Sequence, residues 1–539
     1  MNAGIRILRY VMESSVQFQE LEQYAKQHTR FSAPADSDLD FNEQYVQALH
    51  EHGYTEDDAF FDDYMYQVET ARDRAERFLK KRPLTTAIMA LRNDIRRKYF
   101  QYDERNSDYV IYTSDVVLLV VMLSSLCGNH DCREHAKFYF IYNPILQYII
   151  PDMPSPKWMI SAEEIRFFLK MIPDDEFSSM FRQYFSDARI EAYELVHNIR
   201  NEDDNVSDYR HLLGGDGQEL RSSFRRGEKS RKKKSAHRVS LYDCSALNVI
   251  SYSMVKAKNN EVSAFIEMID NGSLPQDSIF YADAINTTAK MIEFLNSRYL
   301  DYIMAVKTNL SNRPVVMAME KYISELTDKT QNTSSHYHEV RTDKEGSRIE
   351  ERTYDIVPVE SLLKAMDGLK DKDGGDILTK EDILPNTRTV IRVYKETQSH
   401  LKDDKEDGRK VPSTLYFISS LPFTEENCHQ TVFSLRSRWM YEAQHNIIDT
   451  VLLQDMQHCC DENHLASIIG LNSMVYNVIS FAREKMSKRG YDNIKHRTKE
   501  TARKAPLISY KISFKIFENN PLLALAYLME YFDTQTVES

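Results

Sequence analysis

The feature that most constrains this chain is a change of hydrophobic period near residue 211. Upstream, apolar residues recur every three to four positions, and from there to residue 306 they fall in short runs of strand length. Runs at 211–215, 237–242 and 246–255 predict three strands. A helix over 261–269, a strand over 278–282, a helix over 287–296 and a strand over 302–306 complete the order βββαβαβ. In such an order the strand after the first helix lies beside the first strand, so acids at the ends of these two strands would meet. Asp216 closes the first run (LLGGDGQEL) and Asp283 the fourth (SIFYADA). A third acid, Glu442, sits on a helical stretch (RSRWMYEAQHNIID). Oxygen ligands of this kind suit Mg²⁺ or Mn²⁺. Two such ions about 3.5–4 Å apart can hold the attacking and leaving oxygens of an in-line phosphoryl transfer.

At 539 residues the chain exceeds one core. Residues 1–90 read as an acidic helical extension. Between Asp36 and Glu69 there are 11 Asp or Glu and no Lys or Arg, which reads as a solvated acidic surface, a contact for a basic protein segment or a mask over the DNA-binding face. Residues 91–205 read as an all-helical module, with Ser161 as a helix N-cap ahead of Glu163 and Glu164. The α/β core begins at 206–310, is interrupted by a β-rich insertion at 311–430, and resumes at 431–539 with the helix that carries Glu442 and further helices.

Six cysteines, Cys127, Cys132, Cys244, Cys428, Cys459 and Cys460, are too scattered for a disulfide framework, and the Met1 segment lacks a signal pattern. A reducing cytoplasm is expected. The apolar run 116–127 is shorter than the roughly 20 residues of a membrane span and reads as a buried helix, so no membrane partner is expected. A net charge of -13 speaks mildly against nucleic-acid binding as an average, but the charges are segregated.

The local sequences resemble the DDE transposases of bacterial insertion sequences, in the branch containing the H-repeat-associated proteins. Asp216, Gly217, Arg221 and Ser222 match that branch's Asp-Gly motif, with Gln218 in place of its lysine. Asp283-Ala284 matches the second motif, and 305–309 the stretch after it. Ser347, Arg348, Ile349, Glu350 and Arg352 resemble a Gly-Arg-Ile-Glu-x-Arg segment, 416–421 a following strand, and Trp439 with Glu442 the third acidic motif, with Arg438 at the related spacing. Leu435 replaces a tyrosine of related enzymes, and the basic positions expected beyond the catalytic helix differ around 457–461. The resemblance covers roughly 91–485. It implies an RNase H-like catalytic core with a β-rich insertion and all-helical N-terminal modules. It also implies catalytic and metal-binding Asp216, Asp283 and Glu442, and two Mg²⁺ or Mn²⁺ ions. The implied partners are double-stranded DNA, as element terminal inverted repeats and target DNA, and a second copy in a synaptic homodimer. Localisation would be cytoplasmic and bacterial, nucleoid-associated on DNA.

Candidate DNA contacts are Arg221, Lys232, Lys233, Lys234, Lys307, Arg348 and Arg438. On the Glu442 helix, Arg438, His445 and Asp449 share one face, and Arg438 either holds a phosphate or pairs with Glu442 four residues on. The basic run 225–238 either tracks a phosphate backbone or is a solubilising loop. Two Cys/His groupings, CGNHDCREH and HCCDENH, lack paired C-x-x-C spacing and read as helix-end residues rather than structural zinc sites. Gly214, Gly215 and Gly217 lack phosphate-loop spacing and are expected to let the backbone bend around the site. The competing reading is a domesticated, catalytically weak relative acting as a DNA- or protein-binding module; a simple nuclease is a third.

Overall fold

The computed structural model describes chiefly residues 110–149, 160–173, 210–220, 235–307, 313–399, 411–456, 461–492 and 509–533, with scattered positions elsewhere from 88 on. The acidic extension over 36–69 lies outside the described residues. The chain divides into two compact units. One comprises 1–184, 221–235 and 446–539, the other 185–220 and 236–445.

The described part of the first unit is helical. Helix α1 (Ser114–Leu126) is buried along all 13 residues, as its apolar run predicts. Its one charge, Asp115, is fully buried and accepts from Arg92 Nε at 2.7 Å and Arg96 Nε at 3.2 Å. Burial alone would raise the Asp115 pKa, but hydrogen bonds from Thr113, Arg92 and Arg96 outweigh it and hold the carboxyl below its usual range. Helix α2 (Cys132–Ile149) follows, then α3 (Ala162–Met171). Ser161 caps α3 as its sequence suggests, its hydroxyl accepting from Glu164 N at 3.1 Å.

The second unit is mixed α/β, its described residues forming one nine-stranded sheet in the order β3-β2-β1-β4-β5-β9-β8-β7-β6. Strands β1 (Leu212–Leu220), β2 (Ala236–Asp243) and β3 (Asn248–Val255) form an antiparallel meander. Helix α4 (Glu261–Asn271) returns the chain to β4 (Ile279–Ala282), which lies parallel to β1, and α5 (Ala289–Ser297) leads to β5 (Asp301–Val306), parallel to β4. Each of these elements overlaps its sequence expectation, but β1 runs on to Leu220, so Asp216 lies within the strand and does not close it. The inserted strands β6 (Tyr337–Glu345), β7 (Arg348–Pro358), β8 (Thr389–Ser399) and β9 (Val411–Ser419) continue the same sheet, because β9 pairs antiparallel with β5. Helices α6 (Arg313–Glu325) and α7 (Val359–Met366) bury Val315, Met319, Ile323, Leu362 and Met366 in a core shared with Val357, Val390 and Ile418 of this extension.

After β9 come α8 (Glu425–Ser437) and α9 (Trp439–Thr450), the latter belonging to the sheet unit through His445. Helices α10 (Glu462–Asp492), α11 (Tyr510–Asn519) and α12 (Pro521–Asp533) belong to the helical unit. Within α10, Glu462–Arg483 is long and apolar enough to cross a membrane, and 94% of its apolar window is buried inside the protein, as in a core helix.

Candidate functional site

The parallel pairing of β1 with β4 determines where the first two acids stand. Leu212 is level with Ile279 and Gly215 with Ala282, so Asp216 and Asp283 are the next residues along two neighbouring strands. The Asp283 residue is exposed and the Asp216 side chain is 41% exposed, so both are open to solvent-borne ligands. Asp216 Oδ1 accepts from the following amide, Gly217 N, at 2.7 Å.

Helix α9 is anchored to β1 through the residue before Glu442. Tyr441 is buried, and its hydroxyl donates toward Asp216 O at 3.3 Å and Ser240 O at 3.2 Å, with Ser240 Oγ at 2.9 Å. Burial, then the Asp216 carboxylate, drives its pKa well above the ordinary phenol value, so it stays a neutral donor. One turn on, His445 Nδ1 lies 3.8 Å from Asp216 Oδ2. Burial and then Arg238 push this imidazole down to about 3, so the approach is that of a neutral ring, not an ion pair.

Glu442 is half-exposed and accepts from Arg438 Nη1 at 2.8 Å, the i, i+4 pairing that its spacing allows. The same guanidinium lies 5.9 Å from the centre of the Tyr281 ring. Burial pushes the Tyr281 hydroxyl up to about 12, with Asp283 and Asp216 adding and Arg438 opposing. Arg438 is in turn held protonated by Tyr281, Glu442 and Asp283 against its own burial. Asp216, Asp283, Glu442 and Arg438 therefore share one electrostatic neighbourhood. The three acids do not form a group whose donor oxygens all lie within 4.8 Å of one another; among the described residues His336, His338 and Asp355 do.

Behind Asp216 is a buried network that no motif announced. Glu261, 2% exposed at the start of α4, meets His237 Nε2 at 2.8 Å and accepts from Asn286 Nδ2 at 3.0 Å. Asn286 N donates to Asp283 O at 2.8 Å, which ties the loop carrying the second acid to α4. The glycines of β1 serve close approach rather than the bend expected of them, since they lie within a paired strand. A Cβ on Gly214 would stand 2.7 Å from Tyr441 Cδ2, and one on Gly217 would collide with Glu261 Oε1. Gln218, where the resembling enzymes carry lysine, accepts from Arg238 Nε at 2.9 Å across the β1–β2 pair. Arg238 is thus a buried strand residue and not part of a basic loop.

Of the candidate DNA contacts, Lys307 is exposed just past β5 and Arg348 begins β7. Arg221, Lys232, Lys233 and Lys234 lie outside the described residues. In the helical unit the two Cys/His groupings converge on one cavity of about 540 Å³. There Cys132 Sγ faces His464 Nε2 at 3.7 Å and Cys459 Sγ faces Nδ1 of the same ring at 3.4 Å. The two sulfurs thus address opposite ring nitrogens and do not converge on one point. Burial pushes the Cys132 thiol up to about 11 and His464 down to about 4, which keeps both neutral and disfavours a thiolate metal site.

No protein-family model and no curated protein matches this chain. Among solved structures, the cryo-EM structure of a piggyBac transposase synaptic complex with hairpin DNA aligns over 84% of this chain and 80% of that chain. Sequence identity is 9% and the TM-score 0.31, a likeness too slight to bear on fold or function.

Proposed function

We propose that this chain is a DNA transposase of the DDE type, cleaving element ends and joining 3′ ends to target DNA, with an RNase H-like core. The observation that carries the reading is the register of β1 against β4, which sets Asp216, midway along β1, beside Asp283, the residue just past the end of β4. The β3-β2-β1-β4-β5 order, with three antiparallel strands followed by two parallel ones, supports the fold assignment. Asp216, Asp283 and Glu442 would hold two Mg²⁺ or Mn²⁺ ions, all-oxygen donors being suited to hard cations. When bound, the ions would activate the attacking oxygen and stabilise charge on the leaving one. The chain's own residues do the positioning: Tyr441 fixes α9 against the Asp216 backbone, and Arg438 pairs with Glu442 on the same helix. Arg438, Lys307, Arg348, Arg221, Lys232, Lys233 and Lys234 would contact double-stranded DNA, with two copies joined in the synaptic complex of a bacterial, cytoplasmic enzyme.

The Arg438–Glu442 ion pair gives a second reading its footing. A glutamate neutralised by its own helix is what a catalytically weak, DNA- or protein-binding relative would show. Assays on the element's terminal sequences with Mg²⁺, comparing wild type with Asp283→Ala, separate the two. Cleavage and joining that vanish in the variant support the transposase, and cleavage without joining indicates a nuclease. DNA binding with no metal-dependent chemistry in wild type overturns both enzymatic readings.

A further inference from the structure

We infer that His336, His338 and Asp355 form a binding site for a single zinc-class divalent cation on the outer hairpin of the sheet, separate from the proposed catalytic acids. The sequence places two histidines two residues apart at the entry to β6, and the period of a strand sets both on one face. On β7, Asp355 is the direct cross-strand partner of His338. His336 Nε2 and His338 Nδ1 lie 3.0 and 2.9 Å from one oxygen, Asp355 Oδ1, and the three donor atoms all fall within 4.8 Å of each other. Tetrahedral ligands bound at about 2.0–2.1 Å stand roughly 3.3 Å apart, so a few tenths of an ångström of opening admits the ion.

Two further features favour a cation over a plain hydrogen-bonded cluster. The second oxygen of Asp355 is held by Arg392 of β8, through Nε at 3.1 Å and Nη2 at 2.8 Å, which aims Oδ1 at the imidazoles as outer ligands aim a metal-bound carboxylate. Both imidazoles also converge on a single oxygen, a crowding that a shared cation relieves. Two nitrogens and one carboxylate oxygen select Zn²⁺, Co²⁺ or Ni²⁺ over Mg²⁺. His338, with its side chain 12% exposed, leaves a route for the ion and for a water as fourth ligand. In the strand order β7 stands four places from β4, roughly 20 Å at about 4.8 Å per strand, so this ion is not one of the catalytic pair. Its role is to fasten β6 to β7.

The test uses the full chain stripped with chelator and titrated with Co²⁺ in excess Mg²⁺, followed by visible absorption. One Co²⁺ per chain is expected, with four-coordinate d–d bands, no thiolate charge-transfer band, and displacement by Zn²⁺. Affinity should fall at least about 100-fold in His338→Ala, the upper range for outer-ligand loss. His338→Gln, which keeps a donor for Asp355, should lose it equally, while Asp283→Asn should bind as wild type whatever its DNA chemistry. Absence of uptake, a thiolate band placing the ion at the cysteines, or binding that survives both His338 variants overturns the proposal.

Discussion

Replacing Glu261 with alanine tests whether the buried network behind Asp216 holds the site together. The carboxylate serves two donors, His237 at 2.8 Å and Asn286 at 3.0 Å. A buried donor left without its acceptor costs roughly 1–3 kcal/mol. Asn286 is 1% exposed and bears that cost in full, whereas His237, with its side chain 11% exposed, reaches some water and falls at the low end. The sum is about 3 kcal/mol, or roughly a 100-fold increase in local opening. Hydrogen-exchange mass spectrometry on peptides covering β1, β2 and the loop after β4 reads this directly, with α12 in the helical unit as an unchanged internal reference. Glu261→Gln should exchange closer to wild type than Glu261→Ala, because its side-chain oxygen still accepts from a buried donor. Exchange in Glu261→Ala within about threefold of wild type, or a glutamine variant as labile as alanine, would refute the reasoning, since neither fits the cost of abandoned buried donors.

Two other perturbations follow from packing and titration. Gly214→Ala should destabilise the sheet unit by roughly 1–3 kcal/mol, because its methyl meets the Tyr441 ring and Cys244 Sγ; thermal melts should show partial recovery when Tyr441→Leu is added. His464 has its pKa lowered from 6.5 to about 4 by burial, so the unfolded chain takes up the proton first. Stability of the helical unit is unaffected above the ordinary histidine pKa, declines as pH falls from about 6.5 to about 4, and levels off below, for a total on the order of 3 kcal/mol. Urea midpoints should decline less over this range in His464→Gln than in wild type, the remaining decline coming from His135, whose pKa burial also lowers, to about 3.

Much of the core could be read from periodicity, because strands buried on both faces and helices buried on one leave regular apolar patterns. Strands β1 to β5 and helices α4 and α5 fall where Leu212, Leu241, Phe280 and Ile303 mark them. The nearness of Asp216 to Asp283 follows the expected adjacency of β1 and β4, and their register fixes it. The outer hairpin was harder to read, because charged residues occupy both faces of β6 and β7: Glu339 and Arg341 on one, His338 and Asp355 on the other. The spacing of His336 and His338 was a signal only once that segment was known to be a strand. Glu261 had no local signature, since its partners come from β2 and the loop after β4. The two Cys/His groupings gave no sign of meeting, because their convergence depends on α3 packing against both α2 and α10.

The junction of β5 with β9 has a consequence for synthesis. Ile303 finds its antiparallel partner only at Ser419, and the intervening chain must be made first. At ribosomal speeds of about 5–20 residues per second the wait is on the order of 10 s, far longer than hairpin formation. Throughout that interval β1 to β5 can assemble while the outer edge of β5, with Tyr302, Ile303 and Met304 destined for complete burial, presents unpaired backbone to the cell. The nascent chain is therefore most exposed to mispairing with other strands after Asp216 and Asp283 are already in place, and chaperone dependence should peak in that window.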